Sequence, residues 1–373
     1  MEQNFYLDKL LGLKENFSVK IISGVRGAGK TTLLKKFAEI LKSNGEEIIF
    51  IDCAENPRLQ TFQQLYEFVD SQAHELEKFF LLIDEIDCVD EWEKAINALF
   101  AGAPAEIYVA GSAENLAEKI SVLLPENYDA LKMSPLSFAE YEKISPSEDA
   151  LENYLRFGGM PAALNADKNL LPQILRGMTY EILFDIAEKN SLNDVNLLRT
   201  LTKFLAQNVG KPVNVSGYFK SLGESNLHKV RSYLGVVLEA GLFKKLSRLD
   251  VKDNEFMTGG EKFYCFDNGI LSALAEVNEK FLMENAVCNE LFRRGFEVNV
   301  GKFGAMNINF AAKKGEEKIF IQVLPPDNSI SVRKITRPLR TLAEGERILI
   351  CAEPVKSFGD VKAITLRNFL TGI

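Results

Sequence analysis

The stretch Gly24-Val25-Arg26-Gly27-Ala28-Gly29-Lys30-Thr31 matches GxxxxGK[ST], a pattern that has meaning only between a buried strand and the start of a helix. Both flanks comply. Val19-Lys20-Ile21-Ile22-Ser23 reads as a short buried strand, and Thr32–Leu41 carries apolar residues at helical spacing. The glycines let backbone N–H groups converge on one centre, and the new helix adds its positive end. This predicts a phosphate cradle built from Gly24, Arg26, Gly27, Ala28, Gly29, Lys30, Thr31 and Thr32, with ATP as its ligand. Lys30 would place its charge on the β- and γ-phosphates, and the Thr31 hydroxyl would ligate Mg²⁺. The constraint on fold is strong: a P-loop of this kind requires a parallel sheet covered by helices.

The next segments supply that sheet. Glu47–Asp52, Phe79–Asp87 and Glu106–Ser112 are apolar strands, separated by helical patterns through Leu59–Val69 and Trp92–Phe100. Apolar strands alternating with helices mean a parallel sheet with both faces covered. The third strand ends in acids. Asp84 would orient Mg²⁺ together with Thr31, and Glu85 would polarise the water that attacks the γ-phosphate. Ser112 ends the following strand, on the side of the sheet where ligands of such folds sit. It is placed to touch the γ-phosphate or the attacking water, with a plain turn serine as the alternative. Trp92 reads as helix packing.

Taken in order, the P-loop, Leu81-Leu82-Ile83-Asp84-Glu85-Ile86, Ala110-Gly111-Ser112, Pro135-Leu136-Ser137-Phe138-Ala139-Glu140-Tyr141 and Gly158-Gly159-Met160-Pro161 resemble one family. It is that of the bacterial and archaeal AAA-superfamily P-loop ATPases with a C-terminal restriction-endonuclease-like domain. The resemblance runs over nearly the whole chain. It implies an α/β fold: a P-loop NTPase parallel sheet of AAA type, with an additional strand between the two nucleotide-motif strands. A helical and winged-helix domain and a small, degenerate nuclease-like α/β domain would follow. The expected boundaries are 1–140, 141–278 and 279–373. One departure stands out. Similar proteins have Gly-Arg shortly before the Pro-Leu-Ser-Phe stretch, whereas this chain has Glu126-Asn127. If that arginine serves the phosphates, Arg26 and Arg156 are the candidates to replace it.

Residues 141–210 carry helix-period apolar positions such as Ile174, Met178, Ile182 and Ile186. Further on, Gly217–Gly223 reads as a short helix and turn. Ser225 is expected to cap a helix whose inner face is Leu227, Val230, Leu234, Val237 and Leu238, and Leu242–Leu249 alternates like a strand. Two short helices and a β-wing suggest a winged helix. Lys211, Lys220, Lys229, Arg231, Lys244, Lys245 and Arg248 make this segment basic. That points to double-stranded DNA as a partner through residues 211–250, with a packing module as the alternative.

In the last domain a nuclease of the resembled type would carry two carboxylates and a lysine on adjacent strands, holding a metal that clamps the scissile phosphate. Here those positions read Asn309, Gln322 and Leu324. No nuclease activity is expected, and residues 279–373 are read as a structural or interaction domain on a nuclease frame, with another protein as the partner in the second case.

The net charge of −8 argues against a chain that coats nucleic acid over its whole surface. No apolar run approaches the ~20 residues of a membrane helix, and the first residues lack the pattern of a signal peptide. A cytoplasmic protein is expected. Five widely spaced cysteines without a CxxC pair read as reduced and partly buried rather than as a zinc or disulfide framework. The function expected is a slow Mg²⁺-dependent ATPase that acts as a nucleotide switch. The alternative is a nucleotide-gated binding module with negligible turnover.

Overall fold

In a computed structural model of the protein, residues 3–372 are described except 75, 114, 165 and 328. The chain forms two compact units. One comprises Met1–Ser134 with Lys189–Ser191 and Glu239–Gly241; the other holds the remaining residues from Pro135 to Ile373.

The first unit opens with α1 (Gln3–Gly12) and then alternates β1 (Val19–Ser23), α2 (Lys30–Ser43), β2 (Ile48–Asp52), α3 (Phe62–Ala73), β3 (Phe79–Asp84), α4 (Trp92–Gly102), β4 (Ala105–Gly111), α5 (Leu116–Leu123) and β5 (Tyr128–Lys132). The sheet order is β2-β3-β4-β1-β5, and every pairing is parallel. Strand β4 thus lies between β1 and β3, the strands that carry the two nucleotide motifs. Every residue of β1 and β3 is buried, as central strands covered on both faces must be. Leu33, Leu34, Phe37 and Leu41 form the inner face of α2, and Trp92 is buried in the core. Strand β5 has no apolar run to announce it, because only Leu131 of its five residues is buried. It is an edge strand, and Asn127 enters it by accepting a hydrogen bond from Val19 N–H (2.9 Å).

The second unit contains α6 (Phe138–Ile144), α7 (Ala150–Phe157), α8 (Leu171–Lys189), α9 (Val195–Gln207), α10 (Val215–Ser221), α11 (Leu227–Glu239), β6 (Phe243–Asp250), β7 (Glu255–Cys265), α12 (Asn268–Leu274) and α13 (Glu279–Arg293), except that the last residues of α8 and α11, Lys189 and Glu239, group with the first unit. After these come β8 (Glu297–Phe303), β9 (Met306–Lys314), β10 (Glu317–Val323), the single turns α14 (Val332–Ile335) and α15 (Arg337–Arg340), β11 (Glu346–Cys351), β12 (Lys362–Thr365) and α16 (Leu366–Thr371). Its mixed sheet has the order β12-β11-β10-β9-β8-β6-β7. The hairpin read as a wing is part of this sheet, since Arg248–Asp250 pair in parallel with Val300–Lys302. Strands from before and after α13 thus share one sheet. Helix α11 starts differently from expectation. Asn226, not Ser225, caps it: its Oδ1 accepts from Lys229 N–H (3.0 Å). Asn226 stands three residues before Lys229, within reach of an orphan first-turn donor.

The motifs that carry the family resemblance outside the P-loop unit are structural. Ser137 and Glu140 form a reciprocal cap at the start of α6, with Phe138 buried behind it. Leu136 N–H donates to Gly159 O (2.8 Å), and Tyr154 Oη donates to Leu136 O (3.1 Å). A Cβ on Gly159 would lie 2.3 Å from Leu136 O, so only glycine permits this approach. Asp267 closes the arrangement by accepting from the N–H groups of Gly159, Gly269 and Ile270 (2.8–3.0 Å). Burial pushes its carboxyl up to about 6 against these donors. In the folded state Asp267 therefore holds its proton more tightly than in the unfolded chain. Its contribution is full below about pH 4 and is lost as pH rises through about 6, a change on the order of 3 kcal/mol. Asp267→Asn should abolish that slope. It also turns one acceptor into an NH₂ that faces an N–H, which should lower stability by about 1–3 kcal/mol. Amide exchange at Gly159 and Ile270, followed from pH 4.5 to 7.5, checks both; equal protection in the two proteins would refute the assignment.

Cys53, Cys265, Cys288 and Cys351 are buried thiols, and Cys88 is an exposed one. Among the described residues no helix is long and apolar enough to cross a membrane.

Candidate nucleotide-binding site

The loop after β1 turns back on itself before α2 begins at Lys30. Gly24 sits at φ 153°, and a Cβ there would lie 2.3 Å from Met133 O. Gly29 caps α2 from the left-handed region at φ 94°. The N–H groups of Lys30, Thr31 and Thr32 fall in the first turn, where a helix provides them no carbonyl. They lie at the positive end of a fourteen-residue helix. Ala28 is buried and donates its N–H to Val25 O (3.2 Å), which holds the loop closed.

Lys30 is 4% exposed, and its Nζ donates to Gly24 O (2.8 Å), Val25 O (3.2 Å) and Ser112 Oγ (3.4 Å). Burial pushes its ammonium down, against the pull of Glu85, Asp87 and Asp84. The end of β4 thus delivers Ser112 to the P-loop lysine, as the order of strands requires. Asp84 closes β3 fully buried, and its Oδ1 accepts from Glu85 N–H (3.1 Å). Burial raises its carboxyl, while a hydrogen bond with the Thr31 side chain works the other way. Its Oδ2 is buried and has no hydrogen-bond partner among the described residues. A buried carboxylate oxygen left open beside a threonine hydroxyl fits the hard oxygen donors that Mg²⁺ takes. Thr31 and Asp84 are therefore the residues that would hold the ion, which would clamp and neutralise phosphate oxygens when bound.

Glu85 takes the left-handed backbone conformation, φ 49° and ψ 44°. Such a conformation in a residue other than glycine is worth about 1–3 kcal/mol of strain and concentrates at working sites. Its carboxylate is largely buried. Burial pushes the carboxyl up, but Lys189, Lys30 and Arg26 outweigh it and hold the group ionised below its usual range. Lys189, the last residue of α8, donates to Glu85 Oε2 (2.6 Å) and to Asp87 Oδ2 (3.2 Å). Asp87 Oδ2 also accepts from Ser112 N–H (3.1 Å).

The structure thus gathers Lys30, Thr31, Asp84, Glu85 and Ser112 into one site and puts Arg26 on its exposed rim. Arg156 belongs to the second unit, where its guanidinium lies over the Phe157 ring at 5.2 Å. Lys189 and the role of Asp87 were missed by sequence reasoning. Asp87 is visible as the last acid of the run after β3. Nothing in the sequence links Lys189 to a motif more than a hundred residues earlier.

Residues 16–142 match the model of an AAA domain, and residues 148–280 match that of a domain of unknown function. An uncharacterized protein of Haemophilus influenzae is 32% identical over 342 residues, which covers 85% of each chain. The chain belongs to the same family as this Haemophilus protein, and its first unit carries an AAA domain. Among solved structures, the replication initiator DnaA bound to AMPPCP and single-stranded DNA matches with a TM-score of 0.35 at 14% identity. The match covers 64% of this chain and 89% of that one.

Proposed function

We propose that this AAA protein binds Mg²⁺·ATP in the loop of residues 24–32 and hydrolyses it slowly, as a nucleotide switch. The observation that carries the reading is the convergence on one another of a buried lysine, a threonine–aspartate pair with an open carboxylate oxygen, and an ionised glutamate. Lys30 and the first-turn N–H groups of α2 hold the phosphates. Thr31 and Asp84 hold Mg²⁺, and Glu85 orients the water, with Ser112 beside the γ-phosphate. A Mg²⁺·ATP turnover assay paired with calorimetry tests this: saturable binding and phosphate release that stops with EDTA is expected, and no binding overturns it. A second reading, binding with negligible turnover, is favoured by the ammonium of Lys189 on Glu85. Calorimetric binding with no phosphate release would select it.

Residues 211–250 are read as a DNA-contacting winged helix with a reduced basic set. Lys229 is paired with Asp194 (2.7 Å), Lys244 lies over the Phe292 ring, and Arg248 donates to Gly259 O. Lys211 donates to Gln207 O and lies over the Phe281 ring, while Lys220, Arg231 and Lys245 remain exposed. Removing a cation that neutralises one phosphate should lower the salt slope of duplex binding by about 1. Fluorescence anisotropy of wild type against a Lys220/Arg231/Lys245 neutralised variant measures it, and identical titrations would leave this a packing or protein-docking segment. Residues 279–373 are read as a nuclease frame without nuclease chemistry. Its two amides serve the fold: Gln322 bonds Asn307 O and Asn309 N–H, and Asn309 Oδ1 accepts from Val323 N–H. Duplex recovered intact after incubation with the protein and Mg²⁺ is the expected result, and cleavage that disappears on Gln322→Ala would refute it.

A further inference from the structure

The Glu85 carboxylate is occupied. Lys189 Nζ lies 2.6 Å from Glu85 Oε2 and 3.2 Å from Asp87 Oδ2, with the three side chains only 16%, 15% and 9% exposed. Water competes weakly for such a group, so the contact is stronger than an ion pair on an open surface. The lysine is held from a fixed point, because Asp87 is itself tied to Ser112 N–H. Lys189 groups with the first unit, so the contact belongs to that unit. A carboxylate that accepts a charge-assisted hydrogen bond from an ammonium is a poorer acceptor for the proton of a water. We propose that Lys189 withholds Glu85 from catalysis in the nucleotide-free protein, and that hydrolysis waits on the lysine leaving the carboxylate.

The inference rests on the reading of Glu85 as the residue that orients the attacking water. Three acids, Asp84, Glu85 and Asp87, face two ammonium groups, Lys30 and Lys189, around one point. Mg²⁺·ATP brings further negative charge to that point, and the γ-phosphate becomes a competing acceptor for Lys189. A lysine suits this exchange: its charge is compact, its donors rotate, and its stem is flexible. The site then responds to the phosphate by releasing its own base, without an arginine at the position of Asn127.

Lys189→Met keeps the stem and removes the ammonium. In the full chain it should raise kcat about tenfold, the scale of one charge-assisted hydrogen bond on the reacting group, while the calorimetric Kd for Mg²⁺·ATP stays within about twofold. Lys189→Arg restores the cation and should return kcat to the wild-type value. Adding Glu85→Gln to Lys189→Met should bring the rate down to that of Glu85→Gln alone, since the gain flows through that carboxylate. If Lys189→Met does not fold, Lys189→Gln must show the same rise. A kcat equal to or below wild type with ATP binding intact overturns the proposal. A wild-type chain that binds no ATP overturns the reading beneath it and the proposal with it, so the two failures are told apart by calorimetry.

Discussion

Lys30→Ala is expected to weaken Mg²⁺·ATP binding by roughly a hundredfold or more, because truncating one partner of a buried charge pair costs about 2–5 kcal/mol. The side chain is 4% exposed and already faces three acceptors, two loop carbonyls and the Ser112 hydroxyl. In the liganded site as proposed, phosphate oxygens would take those donors. Alanine removes the cation from the phosphates and leaves Gly24 O and Val25 O without their donor, so loop closure suffers as well. Lys30→Arg is no rescue, since a rigid planar fork does not fill a pocket shaped around a point charge. Isothermal calorimetry of the two proteins decides it. Equal affinities would remove the P-loop from the binding site.

Glu85→Gln should separate binding from chemistry. The amide keeps the shape and one acceptor oxygen but loses the charge that draws a proton from water. Positioned acid–base groups contribute about 10²–10⁴-fold, and a fall in kcat of that order is expected, with ATP affinity retained. The substitution also breaks the ion pair with Lys189, which frees that ammonium for the phosphates and accounts for any small gain in ATP affinity. Single-turnover phosphate release after rapid mixing gives the rate free of product release. Undiminished release would move the role proposed for Glu85 to another group, and Asp87, tied to Ser112 N–H, is a further carboxylate at the site.

Much of the first unit was legible because its signals are local. The P-loop joins strand to helix within a few residues, and β1, β3 and β4 are apolar runs that only a doubly covered sheet can bury. Edge strand β5 escaped, since a strand with one buried residue has the composition of a loop. Asn226 took the cap assigned to Ser225 because one residue of register decides which side chain reaches the free N–H. Leu242–Leu249 reads as one strand of a β-wing, and in the structure it pairs with β7 and, through Arg248–Asp250, with β8 in a seven-stranded sheet. Strand partners distant in sequence leave no periodicity to read.

The sequence by itself determined the glycine-rich loop between β1 and α2, the acids that end β3, the alternation that makes a parallel sheet, and the absence of carboxylates at Asn309 and Gln322. Each is a matter of residue type at short spacing, where backbone geometry fixes which side chains are neighbours. Only the tertiary structure decided that Ser112 touches Lys30, that Asp267 ties together the two glycine-containing motifs, that Asp194 neutralises Lys229, and that Lys189 sits on Glu85. Those contacts join residues separated by tens to more than a hundred positions. Their energies come from burial and charge in a shared volume, which no local pattern encodes.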